Sequence, residues 1–290
     1  MLKGIDTSHY TSTDLARLSS VVKNNKLYFN FIKATEGNTI KDAKFVDLWE
    51  MSRKAGMVCG AYHFFRPLSD VAAQAANFIS QYKNVSGAGA LPPVVDLEWA
   101  TVNGVDQWSQ LDPAQRVPRI KMYLSAIEDG LHVKPVIYTA PSFWKEFVEP
   151  QSTAADDQYF ASHLLWVVDL KSTGNVPRPW TGSTAPFVQV HFGENATTNE
   201  DYDKTDQNVF TGSLKDFLNK LVPGFALAKG LPFSNITADI QNALIAKDYL
   251  KDTADGLFGS KTEQAVKDFQ SANGLFANGI VDAQTWNKLL

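Results

Sequence analysis

Asp96 and Glu98 stand one residue apart in Pro92-Pro93-Val94-Val95-Asp96-Leu97-Glu98-Trp99, where an apolar run ends in two acids. If the run is a strand, residues i and i+2 share a face about 6.6 Å apart along the chain. Two carboxyls held that close do not both ionise at their ordinary pKa values. One keeps a proton and can donate it, while the other stays charged. Cleavage of a glycosidic bond needs that pair. On an isolated strand the same two residues could be solvated or tied into surface salt bridges, so their placement decides between the readings.

That placement follows from the elements around them. Short apolar runs recur at Leu2 to Asp6, Tyr28 to Lys33, Val58 to Phe65, Pro93 to Glu98, Lys134 to Tyr138, Leu164 to Asp169 and Phe187 to His191. Continuous runs of this length are those of strands buried on both faces. Helical spacing fits residues 40–55, closing at Gly56, and residues 69–83 and 113–130, the last closing at Gly130. Strand alternating with helix predicts an α/β fold, a (β/α) barrel whose site lies at the C-terminal strand ends. Segments 139–163 and 170–186 hold Pro and Gly with little periodicity, so loops are expected there and the barrel should be irregular. Asp6, Glu36, Tyr62, Phe64 and Tyr138 all fall at strand ends. Acids for hydroxyls and aromatic faces for sugar C–H surfaces, converging on one rim, suggest a carbohydrate cleft.

The barrel is expected to span residues 1–222, with a last helix from Ser213 to Leu221. Residues 223–234 read as a linker because Pro223, Gly224, Gly230 and Pro232 break both periodicities. Residues 235–290 then form a small three-helix domain, with Ser260 and Glu263 in the pattern of a capping box. Gly256 and Gly259 suit a turn of positive φ, and Val266, Phe269 and Trp286 its core.

The formal net charge of −4 and the lack of a basic face speak against a nucleic-acid partner. No apolar stretch approaches the length of a membrane span, so insertion is not expected. The lone Cys59 lies in an apolar run and reads as an inert core thiol. His9, His63, His132, His163 and His191 form no metal-ligand motif, and no phosphate-binding glycine loop occurs. No metal and no cofactor are implied, and His63 reads as packing behind Tyr62. A monomer is expected. The segment Met1 to Asp6 has no charged and apolar leader pattern, which predicts residence in the cytoplasm of a host until lysis, or secretion if a leader is missing.

The motifs Gly4-Ile5-Asp6-Thr7-Ser8, Phe31-Ile32-Lys33-Ala34-Thr35-Glu36-Gly37, Gly60-Ala61-Tyr62-His63-Phe64-Phe65, Pro93-Val94-Val95-Asp96-Leu97-Glu98 and Thr205-Asp206-Gln207-Asn208-Val209-Phe210 closely resemble glycoside hydrolase family 25, the Chalaropsis-type lysozymes. The resemblance covers roughly residues 1–220. It implies a modified β/α barrel and hydrolysis of the β-1,4 bond between N-acetylmuramic acid and N-acetylglucosamine in bacterial peptidoglycan. It makes Glu98 the acid/base, Asp96 the carboxylate that orients the 2-acetamido group, and Asp6 and Asp206 supporting acids. Glu36, Tyr62, Phe64, Tyr138, Trp166 and Gln189 become substrate contacts. Retention by acetamido participation is implied, and a direct carboxylate nucleophile stays open. His9-Tyr10-Thr11, Leu165 to Asp169 and Val188-Gln189-Val190 depart from the family pattern, which bears on specificity.

Residues 236–290 resemble peptidoglycan-binding domain 1 through Asp255-Gly256-Leu257-Phe258-Gly259, Phe269-Gln270, Asn278-Gly279 and Thr285-Trp286. With five Lys against seven acids, that unit would not hold an acidic wall by charge. A modular endolysin follows as the leading expectation. The alternatives are a bacterial autolysin, a chitinase-like glycosidase, or a catalytically silent wall binder.

Overall fold

The computed structural model describes residues 1–11, 13–193, 202 and 205–290. Eight strands close into a barrel: β1 (Leu2–Thr7), β2 (Leu27–Glu36), β3 (Val58–Phe64), β4 (Val94–Leu97), β5 (Val136–Thr139), β6 (Leu165–Val168), β7 (Phe187–His191) and β8 (Asp206–Phe210). Neighbours from β1 to β7 pair in parallel, and β8 closes the ring antiparallel to both β7 and β1. The irregular barrel expected from the sequence is therefore present, and its irregularity includes the last strand. Because β8 is reversed, its first residue, Asp206, sits level with Asp6 at the rim.

Alternation along the strands separates two cores. The outward face of β2 to β6 (Ile32 and Ala34, Cys59 and Ala61, Val95 and Leu97, Ile137, Leu165 and Val167) packs under the surrounding helices. The opposite face (Leu2, Phe29, Phe31, Val58, Val94, Val136, Trp166, Phe187, Phe210) fills the barrel. Phe31 stacks on Trp166 with centroids 4.6 Å apart and meets Phe187 edge-on at 5.1 Å. Two glycines make this filling possible. A Cβ at Gly4 would lie 2.4 Å from the Phe29 ring, and one at Gly60 would lie 2.6 Å from the Phe31 ring.

The outer layer carries α1 (Leu15–Asn25), α2 (Phe45–Lys54), α3 (Val71–Val85), α4 (Pro113–Leu131), α5 (Pro141–Phe147), α6 (Ala154–Ala161) and α7 (Leu214–Leu221). The expectation of loops across 139–163 is overturned by α5 and α6, which bury Phe143, Trp144, Phe147 and Phe160. They are too short for a helical stripe to stand out. Segment 170–186 holds no helix or strand, as expected. Helix α4 runs through Gly130 and stops at His132, with φ 56°. Gly130 serves packing, since a Cβ there would meet Ile79 of α3 at 2.5 Å.

Three helices follow: α8 (Asn235–Ala246), α9 (Ser260–Ala272) and α10 (Ala283–Leu289). One hydrogen-bonded unit is used twice among them. The Gln241 amide donates to Asp255, the Leu257 carbonyl and Thr262, and its oxygen accepts from Gly256 N. Gln270 repeats this with Asn278, the Ile280 carbonyl, Thr285 and Gly279 N. Gly256 and Gly279 both have φ 77°, the left-handed turn that each buried glutamine reads. Two expectations fail here. Gly259 is the N-cap of α9 with φ −89°, and Ser260 makes no capping hydrogen bond. Glu263 is instead paired to Lys229 and Lys267. A capping box does form on α7, between Ser213 and Asp216.

These helices close the end of the barrel where the parallel strands begin. Ile236, Ile240, Leu244, Val266, Phe269 and Trp286 belong to the same buried cluster as Leu2, Phe29 and Val136. Asn235, 6% exposed, donates through its side-chain amide to the carbonyls of Val22 (3.1 Å) and Leu27 (2.8 Å), adding to the left-handed cap of α1 in which the Lys26 N–H also bonds Val22 O. Tyr28 donates to Asp239 at 2.6 Å, and Lys26 pairs with the same carboxylate at 2.9 Å. Trp286, besides being core, donates its indole N–H to Asn219 on α7 at 2.8 Å. The connecting segment 223–234 is packed between the two parts: Leu227 pairs with Val281, and Pro223 O accepts from Gly89 N.

Candidate active site

At the other end of the barrel, the inner faces of seven strands turn polar and enclose a cavity of about 250 Å³. Asp6 ends the inner face of β1, Asp96 that of β4, and Glu98 follows one residue past β4. With Asp206 they form the acidic floor, and Tyr62, Tyr138, Trp166, Gln189 and Phe192 complete the lining. Eight of the ten residues singled out from the sequence thus meet in one place: Glu98, Asp96, Asp6, Asp206, Tyr62, Tyr138, Trp166 and Gln189.

A hydrogen-bond chain fixes half of the cavity. Asp6 Oδ2 accepts from Gln189 Nε2 at 3.0 Å and from Asn208 Nδ2 at 2.8 Å. Tyr138 donates to Gln189 Oε1 at 2.6 Å, and Trp166 Nε1 donates to Asn208 Oδ1 at 2.8 Å. Asp206 accepts from the Gly193 N–H at 2.7 Å and hydrogen-bonds to Asp6, its register partner. Five strands are tied together this way around two carboxyls. The Asp96–Glu98 side is left looser: Asp96 is 6% exposed, and its buried Oδ1 has no hydrogen-bond partner.

Burial is the main electrostatic fact of the site. It raises Asp6 well above the usual carboxylate range, with the charge of Asp206 adding to it. It raises Asp96 likewise, with Glu98 next in effect, and it raises Asp206 against the Gly193 N–H. Glu98 is pushed up to about 7 by burial, opposed by Lys33 and assisted by Asp206. Such a pair shares its last proton, and the two titration steps belong to both carboxyls. Glu98, past the strand end and half-buried, is the member a bound molecule can reach.

Glu36 and Phe64 do not line this cavity. Glu36 is paired with Lys33 at 2.6 Å and with the Arg66 guanidinium. Phe64 lies against both cations, 5.0 Å from Lys33 Nζ and 4.9 Å from Arg66 Cζ. His63 faces away into the helical layer, hydrogen-bonded to Thr35 and Gln74 and stacked on Tyr123 at 5.0 Å. Burial lowers its pKa to about 3, which leaves it neutral. Burial also pushes the Cys59 thiol up to about 12. Three residues were missed: Asn208, Lys33 and Phe192. The i, i+2 rule applied to Asp206 points at Asn208, and applied to Phe29 and Phe31 it points at Lys33. Nothing in the sequence singles out Phe192.

A closed barrel with paired acids at the rim and aromatic walls defines the site. The profile of glycosyl hydrolases family 25 matches residues 5–187, and the chain belongs to that family. A putative peptidoglycan binding domain matches residues 234–289. Among curated relatives, the Escherichia coli K12 protein YegX is 31% identical over 145 residues, covering 49% of this chain and 50% of its own, so the chain spans about half that relative's length. An autolytic lysozyme of Clostridium acetobutylicum is 29% identical over 278 residues, 94% of this chain and 74% of that protein. Among solved structures, a lysozyme of Streptomyces coelicolor aligns with a TM-score of 0.61 at 30% identity, covering 75% of this chain and 95% of that one.

Proposed function

We propose that the chain is a muramidase that hydrolyses the β-1,4 bond following N-acetylmuramic acid in peptidoglycan, with its C-terminal domain holding it on the wall. The observation that carries this reading is the Asp96–Glu98 pair: one buried and one half-buried carboxyl at the mouth of the barrel, Glu98 held at about 7. Glu98 donates its proton to the leaving glycosidic oxygen as that bond breaks. Asp96, whose inner oxygen lacks a partner, accepts the N–H of the 2-acetamido group and turns that group's oxygen onto the anomeric carbon. The ionised Glu98 then takes a proton from water, which opens the resulting ring and gives net retention. Asp6, cross-linked to Gln189 and Asn208, and Asp206, bonded to Asp6 and the Gly193 N–H, hold the floor on which the sugar rests. Similarity to an autolytic lysozyme over nearly the whole chain and to a wall-binding domain supports a wall substrate over chitin. The setting we propose is wall lysis of the endolysin kind.

The test is a digest of purified peptidoglycan, followed by borohydride reduction and mass analysis, beside Glu98→Gln. New reducing ends at N-acetylmuramic acid, lowered by 10²–10⁴-fold in the variant, are the expected outcome, in line with the usual worth of a general acid. Ends at N-acetylglucosamine would overturn the bond assignment, and normal turnover by Glu98→Gln would overturn the acid. The anomer first released, read by NMR on a soluble glycan, tests retention. Lysis of intact cells only after their membrane is permeabilised tests the endolysin setting.

A further inference from the structure

The motif from Phe31 to Gly37 leaves Lys33 and Glu36 without a part in the mechanism above. Lys33 is the third inward position of β2 after Phe29 and Phe31, and it brings an ammonium to the rim where the acids gather. Its side chain is only 11% exposed, and Glu36 is 13% exposed. One Glu36 oxygen takes Lys33 Nζ at 2.6 Å and the other takes Arg66 Nε at 2.9 Å. Both oxygens are engaged, and Glu36 sits below the usual range: burial works against it, and the Lys33 and Arg66 contacts outweigh burial. The Phe64 ring lies between the two cations. In register, Lys33 is beside Tyr62, Glu36 is beside Phe64, and Phe64 is beside Asp96. The clamp therefore sits on β2 and just past β3, with β3 alone between it and the strand of the acid pair, and it carries one net positive charge.

We propose that Lys33, fixed by Glu36 and Arg66, is a positioning residue whose ammonium sets the pH window in which the Asp96–Glu98 pair holds one proton. Glu36 acts through Lys33 and does not bind sugar. The inference rests on the assignment of Glu98 as the acid. The other groups acting on the pair are Asp6 from β1, Asp206 from β8, Tyr62 from β3 and Tyr138 from β5. The tyrosines are neutral across the working range, because burial raises both of them. Lys33 is the cation that opposes burial at both Asp96 and Glu98. A single charge acting on a partly dry site moves a titration by on the order of one pH unit.

The experiment is the pH profile of kcat/KM on a soluble glycan for the full chain and three variants, with melting curves as a check on folding. Lys33→Met removes the charge and keeps the stem, so both limbs move to higher pH by about one unit. Lys33→Arg keeps the charge and leaves the limbs near their original places. Glu36→Gln frees the ammonium from its counter-charge, and the limbs move to lower pH. Opposite displacements from two partners of one ion pair are not what a purely structural role produces. A folded Lys33→Met with unmoved limbs, or Lys33→Arg displaced as far as Lys33→Met, would overturn the inference. If Lys33→Met does not fold or turns over too slowly to profile, Glu36→Gln decides: unmoved or raised limbs sink the idea. Glu98→Gln is run alongside. Full activity there removes the acid assignment itself, whereas a dead Glu98→Gln with unmoved Lys33 and Glu36 profiles removes only this inference.

Discussion

The two ends of the barrel are built on the same inner faces of the same strands and differ in almost everything else. On β1 the inward series runs Leu2, Gly4, Asp6; on β2 Phe29, Phe31, Lys33; on β8, read backwards, Phe210, Asn208, Asp206. The closed end is apolar and shares one buried cluster with the three C-terminal helices. The open end gathers four acids whose burial raises every one of them. Stability is thus concentrated at one end and strain from desolvated charge at the other. Six or so residues of strand keep the two apart. This division lets the site keep unfavourable carboxyls without dissolving the fold.

The largest effect expected from this contrast comes from removing residues 235–290. That cut bares Leu2, Tyr28, Phe29, Val58 and Val136 and strips the cover from the Val22 and Leu27 carbonyls. Calorimetry of the full chain should give one transition, and the shortened barrel should melt on the order of 10 °C lower or fail to fold, since several kcal/mol of burial are lost. Activity on soluble glycan should fall with it. A shortened barrel with the parent melting point would dissolve the comparison, leaving the domain a mere anchor.

A smaller effect, of opposite sign at the other end, concerns pH. Glu98 is raised from 4.5 to about 7 on folding, so its contribution to stability is complete below about 4.5 and is lost as pH rises through about 7. Asp6, Asp96 and Asp206 are shifted the same way and act in the same sense. The melting temperature should therefore fall between pH 5 and pH 8, and Glu98→Gln should flatten that slope and melt above the parent at pH 8. An unchanged slope in Glu98→Gln would show that the open end is not strained by its charges.

The smallest is Asn235→Ala, which removes one hydrogen bond from each of two carbonyls, Val22 keeping the one from the Lys26 N–H, at a cost of about 1–2 kcal/mol, or a few degrees of melting temperature. Turnover on soluble glycan, measured at 25 °C, should stay within twofold of the parent. A large loss of turnover with little loss of stability would mean that the two ends are coupled.

Period-2 alternation and apolar runs were enough to read the barrel, since a strand buried on both faces leaves that trace wherever it lies. The DxE at the end of β4 was legible as two acids on one face, but only the fold shows that face opening into the cavity and not onto solvent or a salt bridge. The turns at Gly256 and Gly279 were half legible: glycine signals the left-handed turn, but only the fold shows Gln241 and Gln270 each reading one. Helices α5 and α6 were missed because seven or eight residues give barely two turns of periodicity.

What the sequence by itself determined is the local alphabet: which segments extend, which coil, and which strand ends carry acids. Tertiary structure alone decided who meets whom. Reversal of β8 puts Asp206 rather than Phe210 at the rim beside Asp6, and pairing with Lys33 and Arg66 draws Glu36 away from the cavity. Closure of the barrel's far end by Asn235, Ile236 and Trp286 converts an apparent tether into part of one core. The physical reason is range. Backbone preference and burial pattern act over a few residues, whereas a hydrogen bond or a charge acts across space on partners the chain brings together from up to 213 positions away.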